Sequence, residues 1–323
     1  MSRRPADAAA RDSAARSRPL MTPTIDEVLN RIPIWTGVAG LTVTPLPGGI
    51  TNTNYRVDVA GEAFVVRVGT PGAEVLGIDR EREYRCLIAA GAAGAAPEVV
   101  YCRPAEGVLV TRFVPGRALA SGETLPPEGV ARVVQTMHRY HNGAAFAGSF
   151  SPFRTLDEYR SAARRGSAPL PLDIDSLYSA LARLEEALQP GETTIRPCHN
   201  DLWGPNLIDD GQRVVIVDWE YAGMGDLYFD LANFAIYHCP SDAADTALLR
   251  AYFGTVGHGP PARLKLQRAV AELREAMWYV VARQIAPHRR DFTAHARAHF
   301  DRCRAALGDS RLATWLTAAS TDV

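Results

Sequence analysis

Cysteine is scarce in this 323-residue chain. Cys86, Cys102, Cys198, Cys239 and Cys303 are odd in number, widely scattered and without C-x-x-C spacing. That argues against a disulfide framework or a zinc site and for reduced thiols in a cytoplasm. No apolar run reaches the length that spans a bilayer, so no membrane partner is expected. An excess of one charge is also missing, since the formal net charge is -1. Binding a phosphate backbone needs a concentrated basic surface, which argues against nucleic acid as a partner. The opening stretch, MSRRPADAAARDSAARSRPLMTPT, has no apolar core of a secretory signal. Residues 1–24 are expected to form a disordered tail.

What the chain does contain is a change of texture along its length. LTVTPLPGGITNTNYRVDVAGEAFVVRVG holds three β-rich runs, broken at Pro47-Gly48-Gly49 and at Ala60-Gly61. Asp79 reads as the N-cap of a helix with Tyr84, Leu87 and Ile88 on one face, stopped by Gly91. EVVYCRP and GVLVTRFVPG read as two further strands. From PPEGVARVVQTMHRYHNG onward the pattern is mainly helical, with one later strand in RVVIVDWEY. The expected fold class is α+β: a small antiparallel sheet with one helix over residues 25–116, then a larger helical lobe over 117–323, with a cleft between.

RPCHNDLWGPNLI concentrates His, Asn, Asp and Trp between apolar runs. Asp201 and Asn206 lie in it, and Asp218 follows twelve residues after Asn206, at the end of the strand-like RVVIV. A loop flanked by strands can bring these three side chains to one end of a hairpin. A carboxylate and an amide oxygen suit magnesium, which uses few protein ligands besides substrate phosphates. A second carboxylate can accept the proton of an attacking hydroxyl. Each residue alone would more often cap a turn; the ordered set points to phosphoryl transfer. Upstream, LPGGITNTNYRV is a Gly-containing turn whose N–H groups can approach phosphate oxygens. Arg67 sits in the apolar strand FVVRVG, and either Glu83 or Glu81 on the following helix can pair with it. His138 and His141, one helical turn apart, read as a solvated or core pair. The run His288 to Arg290 reads as a solvated helix end.

The spacing of His199, Asp201 and Asn206 matches the H-x-D-x-x-x-x-N loop of protein-kinase-like enzymes, with Asp218 in the position of a D-F-G aspartate. GGITNTNYRV, FVVRVG, DREREY, TRFVPGRAL, CHNDLWGPNLI and VIVDWEYAGMGDLYFDLAN together resemble the choline/ethanolamine kinase group of the aminoglycoside-phosphotransferase-like kinases. The resemblance implies a two-lobed protein-kinase-like fold using ATP and Mg2+. It implies Asp201 as catalytic base, and Asn206 and Asp218 as metal ligands. Arg67 would meet the ATP phosphates, steadied by Glu83, with Gly49, Thr51 and Asn52 in the loop over them. Thr111 to Gly116, with Phe113, would be the adenine hinge, and Asp230 a brace for the catalytic loop. Glu220 and Tyr221 would line the acceptor pocket.

A quaternary ammonium is recognised by aromatic faces and carboxylates. Trp203, Tyr221, Tyr228, Phe229 and Trp278 are candidate walls and Glu220 the anion. Choline kinases carry two tryptophans near one another in this late helix; this chain has Trp278 followed by Tyr279. The expected acceptor is a small cationic alcohol, choline or ethanolamine. The alternatives are thiamine, an aminoglycoside or another hydroxyl metabolite, or a pseudokinase without turnover. Retention of Asp201, Asn206 and Asp218 argues for an enzyme, and the arginine-rich late helices argue against a polycationic acceptor.

Overall fold

The computed structural model describes residues 24–286 and 292–321. The tail up to residue 23 and the cluster His288 to Arg290 lie outside the described residues. The chain divides between Thr36 and Gly37 into two units. In the first, α1 (Ile25–Leu29) opens with a capping box: Thr24 Oγ1 accepts from the Glu27 N–H, and the Glu27 carboxylate accepts from the Thr24 N–H.

The second unit begins with β1 (Thr42–Leu46), β2 (Asn52–Val59) and β3 (Glu62–Gly69). Ala60 and Gly61 join β2 to β3 with φ of 51° and 81°. Two left-handed residues give the hairpin turn whose twist matches its strands. The register that follows sets Asn54 opposite Arg67. After α2 (Arg80–Ala92) come β4 (Val99–Arg103) and β5 (Val108–Arg112), completing an antiparallel sheet in the order β1-β2-β3-β5-β4.

Asp79 caps α2 as its sequence indicates, accepting from the Glu81 and Arg82 N–H groups. The buried face differs from the expected one. Glu83, Cys86, Leu87 and Ala90 face inward, while Ile88 is 46% exposed. The helix also runs through Gly91 to Ala92, because the left-handed break comes later, at Gly94 with φ 71°.

Beyond the sheet, β6 (Arg117–Ala118) is followed by α3 (Pro127–His141), α4 (Pro152–Arg165), α5 (Ile174–Ala187) and β7 (Ile195–Cys198). Then come β8 (Leu207–Asp209), β9 (Val214–Ile216) and β10 (Gly223–Asp226). The C-terminal helices are α6 (Leu227–His238), α7 (Asp242–Phe253), α8 (Gly259–Ala282), α9 (Phe292–Leu307) and α10 (Leu312–Thr321). β8 pairs with both β6 and β9, and β7 pairs with β10, so two short ladders frame the loop from His199 to Asn206. α8 is buried along most of its length and packs on α4, α6, α9 and α10. A sheet with one helix followed by a mainly helical region is the α+β plan expected. No described helix is long and apolar enough to cross a membrane.

Candidate active site

The loop after β7 is pinned from below. Asp230 on α6 is 0% exposed, and its carboxylate accepts from the N–H groups of His199 (2.9 Å) and Asn200 (2.5 Å) and from the Tyr140 hydroxyl (2.8 Å). His141 Nε2 lies 3.1 Å from the same carboxylate and its Nδ1 lies 2.6 Å from the Tyr252 hydroxyl, while His138 stacks on the Tyr252 ring. His141 therefore belongs to the core, with His138 half-buried beside it. Asn200 takes a left-handed φ of 68°, held by its Nδ2 donating to the Tyr221 carbonyl at 3.0 Å. His199 has its tautomer fixed by its neighbours. Nδ1 accepts from the Asp201 N–H at 3.2 Å, so the proton is on Nε2, which donates to the Val217 carbonyl at 3.0 Å. Burial pushes this imidazole down to about 4, so it is neutral. Gly204 permits close approach of the loop to the chain after β6: a Cβ there would lie 2.5 Å from the Ala120 carbonyl oxygen.

Asp201 sits at the centre. Its Oδ2 accepts from Asn206 Nδ2 at 3.1 Å and its Oδ1 from Arg274 Nη1 at 3.3 Å. Burial raises its carboxyl to about 7 against the opposing pull of Arg274. Asn206 spends its amide nitrogen on Asp201, on the main-chain carbonyl (2.9 Å) as well as on the carboxylate, which leaves the amide oxygen for another partner. Asp218, two residues past β9, has φ 64°, a strained conformation for a residue with a Cβ. Its Oδ1 accepts from Arg67 Nη1 at 2.8 Å, and burial lifts its carboxyl to about 6.

The sheet side contributes a buried ion network. Arg67 on β3 bridges Asp218 and Glu83, so the partner left open by the sequence is Glu83; Glu81 is exposed. Lys265, the only lysine of the chain, is tied to Asp242 and Asp245, so the cation at this position is necessarily an arginine. Arg80 Nη1 donates to Glu83 (2.9 Å) and to Glu220 (3.0 Å). Glu220 also accepts from Thr51 Oγ1 at 2.9 Å and Asn52 Nδ2 at 3.0 Å. Both of its oxygens are thus engaged by sheet-side residues, and burial with Asp218 nearby raises it to about 7. Gly49 has φ 73°, and a Cβ there would come within 2.3 Å of the Asn52 carbonyl oxygen.

These groups border a cavity of about 550 Å³. Gly49, Thr51, Arg67, Phe113, Asp201, Asn206, Asp218, Glu220, Tyr221 and Trp278 line it, with Trp203. Asn52 and Glu83 stand behind the lining and hold it through the network just described. Two expected walls are absent. Tyr228 packs against Phe253 and Phe229 against Phe150, both in the core, because successive positions on α6 face away from the cavity. Among the lining residues not foreseen as such are Tyr237 on α6 and Arg274 and Glu275 on α8, and Tyr279 lines the cavity beside Trp278. The available signal was the adjacent charges in LREAMWYVV, an otherwise apolar helical run. Trp278 Nε1 donates to the Tyr221 hydroxyl at 2.7 Å, and the Arg274 guanidinium lies 4.3 Å from the Tyr221 ring centroid.

The chain that carries this cleft is similar over most of its length to known proteins. The chain is similar to Protein LicA of Haemophilus influenzae, 29% identical over 266 residues, 79% of this chain and 76% of that protein. It is 31% identical over 196 residues to ethanolamine kinase 2 of Mus musculus, covering 57% of this chain and 50% of that protein. The structure of a choline/ethanolamine kinase family protein from Mesorhizobium loti matches with a TM-score of 0.77 and 28% identity, over 92% of this chain and 99% of that one. The model of the phosphotransferase enzyme family matches residues 42–266, and the chain belongs to that family as a choline/ethanolamine kinase-like member.

Proposed function

We propose that the enzyme transfers the γ-phosphoryl group of magnesium-bound ATP to the hydroxyl of a small cationic alcohol of the choline or ethanolamine type. The observation that carries the reading is the position of Asp201, a half-buried carboxylate that lines the cavity between Asn206 and Arg274 and is raised to about 7. A base in that range is about half ionised at neutral pH and takes the acceptor proton with little penalty. Asn206 offers an amide oxygen and Asp218 its second carboxylate oxygen, a hard-oxygen pair that fits magnesium. Bound there, the ion would neutralise phosphate charge.

Arg67, held in place by Glu83, would meet the phosphates, and the turn around Gly49 and Thr51 would cover them. Phe113 and its neighbours up to Gly116 would border the adenine, and the region that follows the sheet would supply the catalytic loop and the acceptor pocket. His199, neutral and hydrogen-bonded to the Asp201 N–H, orients the base without exchanging protons. Glu220, Tyr221 and Trp278 wall the acceptor side. Release of ADP from magnesium-ATP in the presence of choline or ethanolamine tests the reading. Turnover in the parent and its loss in Asp201→Asn is expected; equal kcat in both removes Asp201 as base.

A further inference from the structure

The sequence suggests Glu220 as the anion of the acceptor pocket, but its hydrogen bonds run the other way. The residue is 3% exposed. Its Oε1 accepts from Thr51 Oγ1 at 2.9 Å, and its Oε2 accepts from Asn52 Nδ2 and Arg80 Nη1, each at 3.0 Å. A carboxylate has about four lone-pair positions. Three are filled here and Arg80 balances the charge, so little of this anion is left for an ammonium in the cavity.

The donors belong to the turn after β1 and to α2. Thr51 closes the turn of residues 47–51, which borders the cavity, and Asn52 begins β2. Gly48 and Gly49 take φ of 98° and 73°, so the turn has little stiffness of its own. Arg80 adds a second strap: Nη2 donates to Asn52 Oδ1 at 2.8 Å and to the Thr51 carbonyl at 3.3 Å. On the other side, Glu220 is fixed by its chain neighbours. Trp219 is buried with Nε1 donating to the Ile216 carbonyl at 2.9 Å, and Asp218 accepts from Arg67 at 2.8 Å. The turn is therefore fastened to the segment that carries Asp218.

We infer that Glu220 is a positioning residue for the nucleotide, a clasp that holds the turn of residues 47–51 closed over the phosphate end of the cleft. The inference rests on the reading of the cleft as a kinase site and assigns Glu220 to its nucleotide side. A turn already held in place has less freedom to lose when the nucleotide arrives, so the clasp acts on nucleotide affinity.

The experiment measures the Kd of magnesium-ATP by calorimetry, and the KM of ethanolamine and choline at saturating ATP, in the parent, Glu220→Ala, Thr51→Val and the double variant. Glu220→Ala should weaken magnesium-ATP at least about tenfold, the size expected for the loss of one hydrogen bond to a charged group. Acceptor KM should stay close to the parent's. Thr51→Val, nearly isosteric, should weaken magnesium-ATP roughly fivefold. The double variant should match Glu220→Ala, because both side chains act through one contact. An unchanged magnesium-ATP Kd in Glu220→Ala overturns the clasp, and a rise in acceptor KM in its place makes Glu220 an acceptor-binding group. Losses that multiply in the double variant overturn it as well. Should Glu220→Ala fail to fold, Thr51→Val decides alone, and a parental Kd there overturns the clasp. If the parent binds magnesium-ATP but phosphorylates no acceptor, the kinase reading fails while the Kd comparison still decides the part of Glu220. A parent that binds no magnesium-ATP overturns both.

Discussion

Replacing Asp230 with Asn changes one atom in a site with no room to adapt. One oxygen accepts from the Asn200 N–H at 2.5 Å; the other accepts from the His199 N–H at 2.9 Å and the Tyr140 hydroxyl at 2.8 Å, with His141 Nε2 at 3.1 Å. Whichever oxygen becomes NH2, it points a donor at a donor, and the remaining bonds lose their ionic acceptor. A hydrogen bond to a charged group contributes about 1.5–3 kcal/mol, and a buried donor left unpaired costs about 1–3 kcal/mol. One bond lost and the others weakened give a destabilisation of roughly 3–5 kcal/mol. In a domain of this size that lowers Tm by roughly 8–15 °C. The same bonds set the path of the loop carrying Asp201, and a displacement of about 1 Å there costs roughly 100-fold in rate. Thermal unfolding followed by circular dichroism, with kcat measured well below the variant's Tm, checks both. A Tm within about 2 °C of the parent, beyond what the lost bonds allow, together with unchanged kcat, would refute the idea that Asp230 holds the loop.

Other consequences follow from the same geometry. Because the Asp201 carboxyl is raised to about 7, kcat/KM should fall about tenfold per pH unit below that value; a flat profile from pH 8 down to 5 would exclude this group as the base. His199 is depressed to about 4 from its ordinary 6.5, so the unfolded chain takes up its proton first as pH falls. Its contribution of roughly 3 kcal/mol is complete above pH 6.5 and lost as pH drops toward 4. Urea unfolding of the parent and His199→Gln should show their stability difference shrinking across that window, and a constant difference would contradict it. Gly204→Ala drives a Cβ to within 2.5 Å of the Ala120 carbonyl oxygen. A loss of about 1–3 kcal/mol is expected in urea titration, and a variant as stable as the parent would show that this loop can shift.

Much of the site could be read because its chemistry is local. Asp201, Asn206 and Asp218 are close in the chain, and the residue types alone specify hard oxygen donors at fixed spacing. The sheet was legible from its alternation and from Ala60-Gly61. Glu83 and Glu81 could not be separated from the sequence, since the choice depends on how α2 rotates against the sheet. That rotation is set by burial of Cys86, Leu87 and Ala90, with Ile88 left outside. Tyr228 and Phe229 illustrate the same limit, because aromatic character does not say which way a residue faces on α6. Arg274 and Glu275 approach Asp201 across more than seventy positions of sequence, through the packing of α8. No local pattern carries that information. α4 went unread because PFRTLDEYRSAARR presents few large apolar residues at helical spacing.

Most decisive is ADP release from magnesium-ATP with ethanolamine, choline and thiamine, by the parent and by Asp201→Asn. Turnover of at least one acceptor by the parent is expected, with a loss of several orders of magnitude in the variant and ATP binding retained. Turnover of an acceptor at the parental rate in Asp201→Asn, or none with any acceptor in a parent that binds magnesium-ATP, would contradict it.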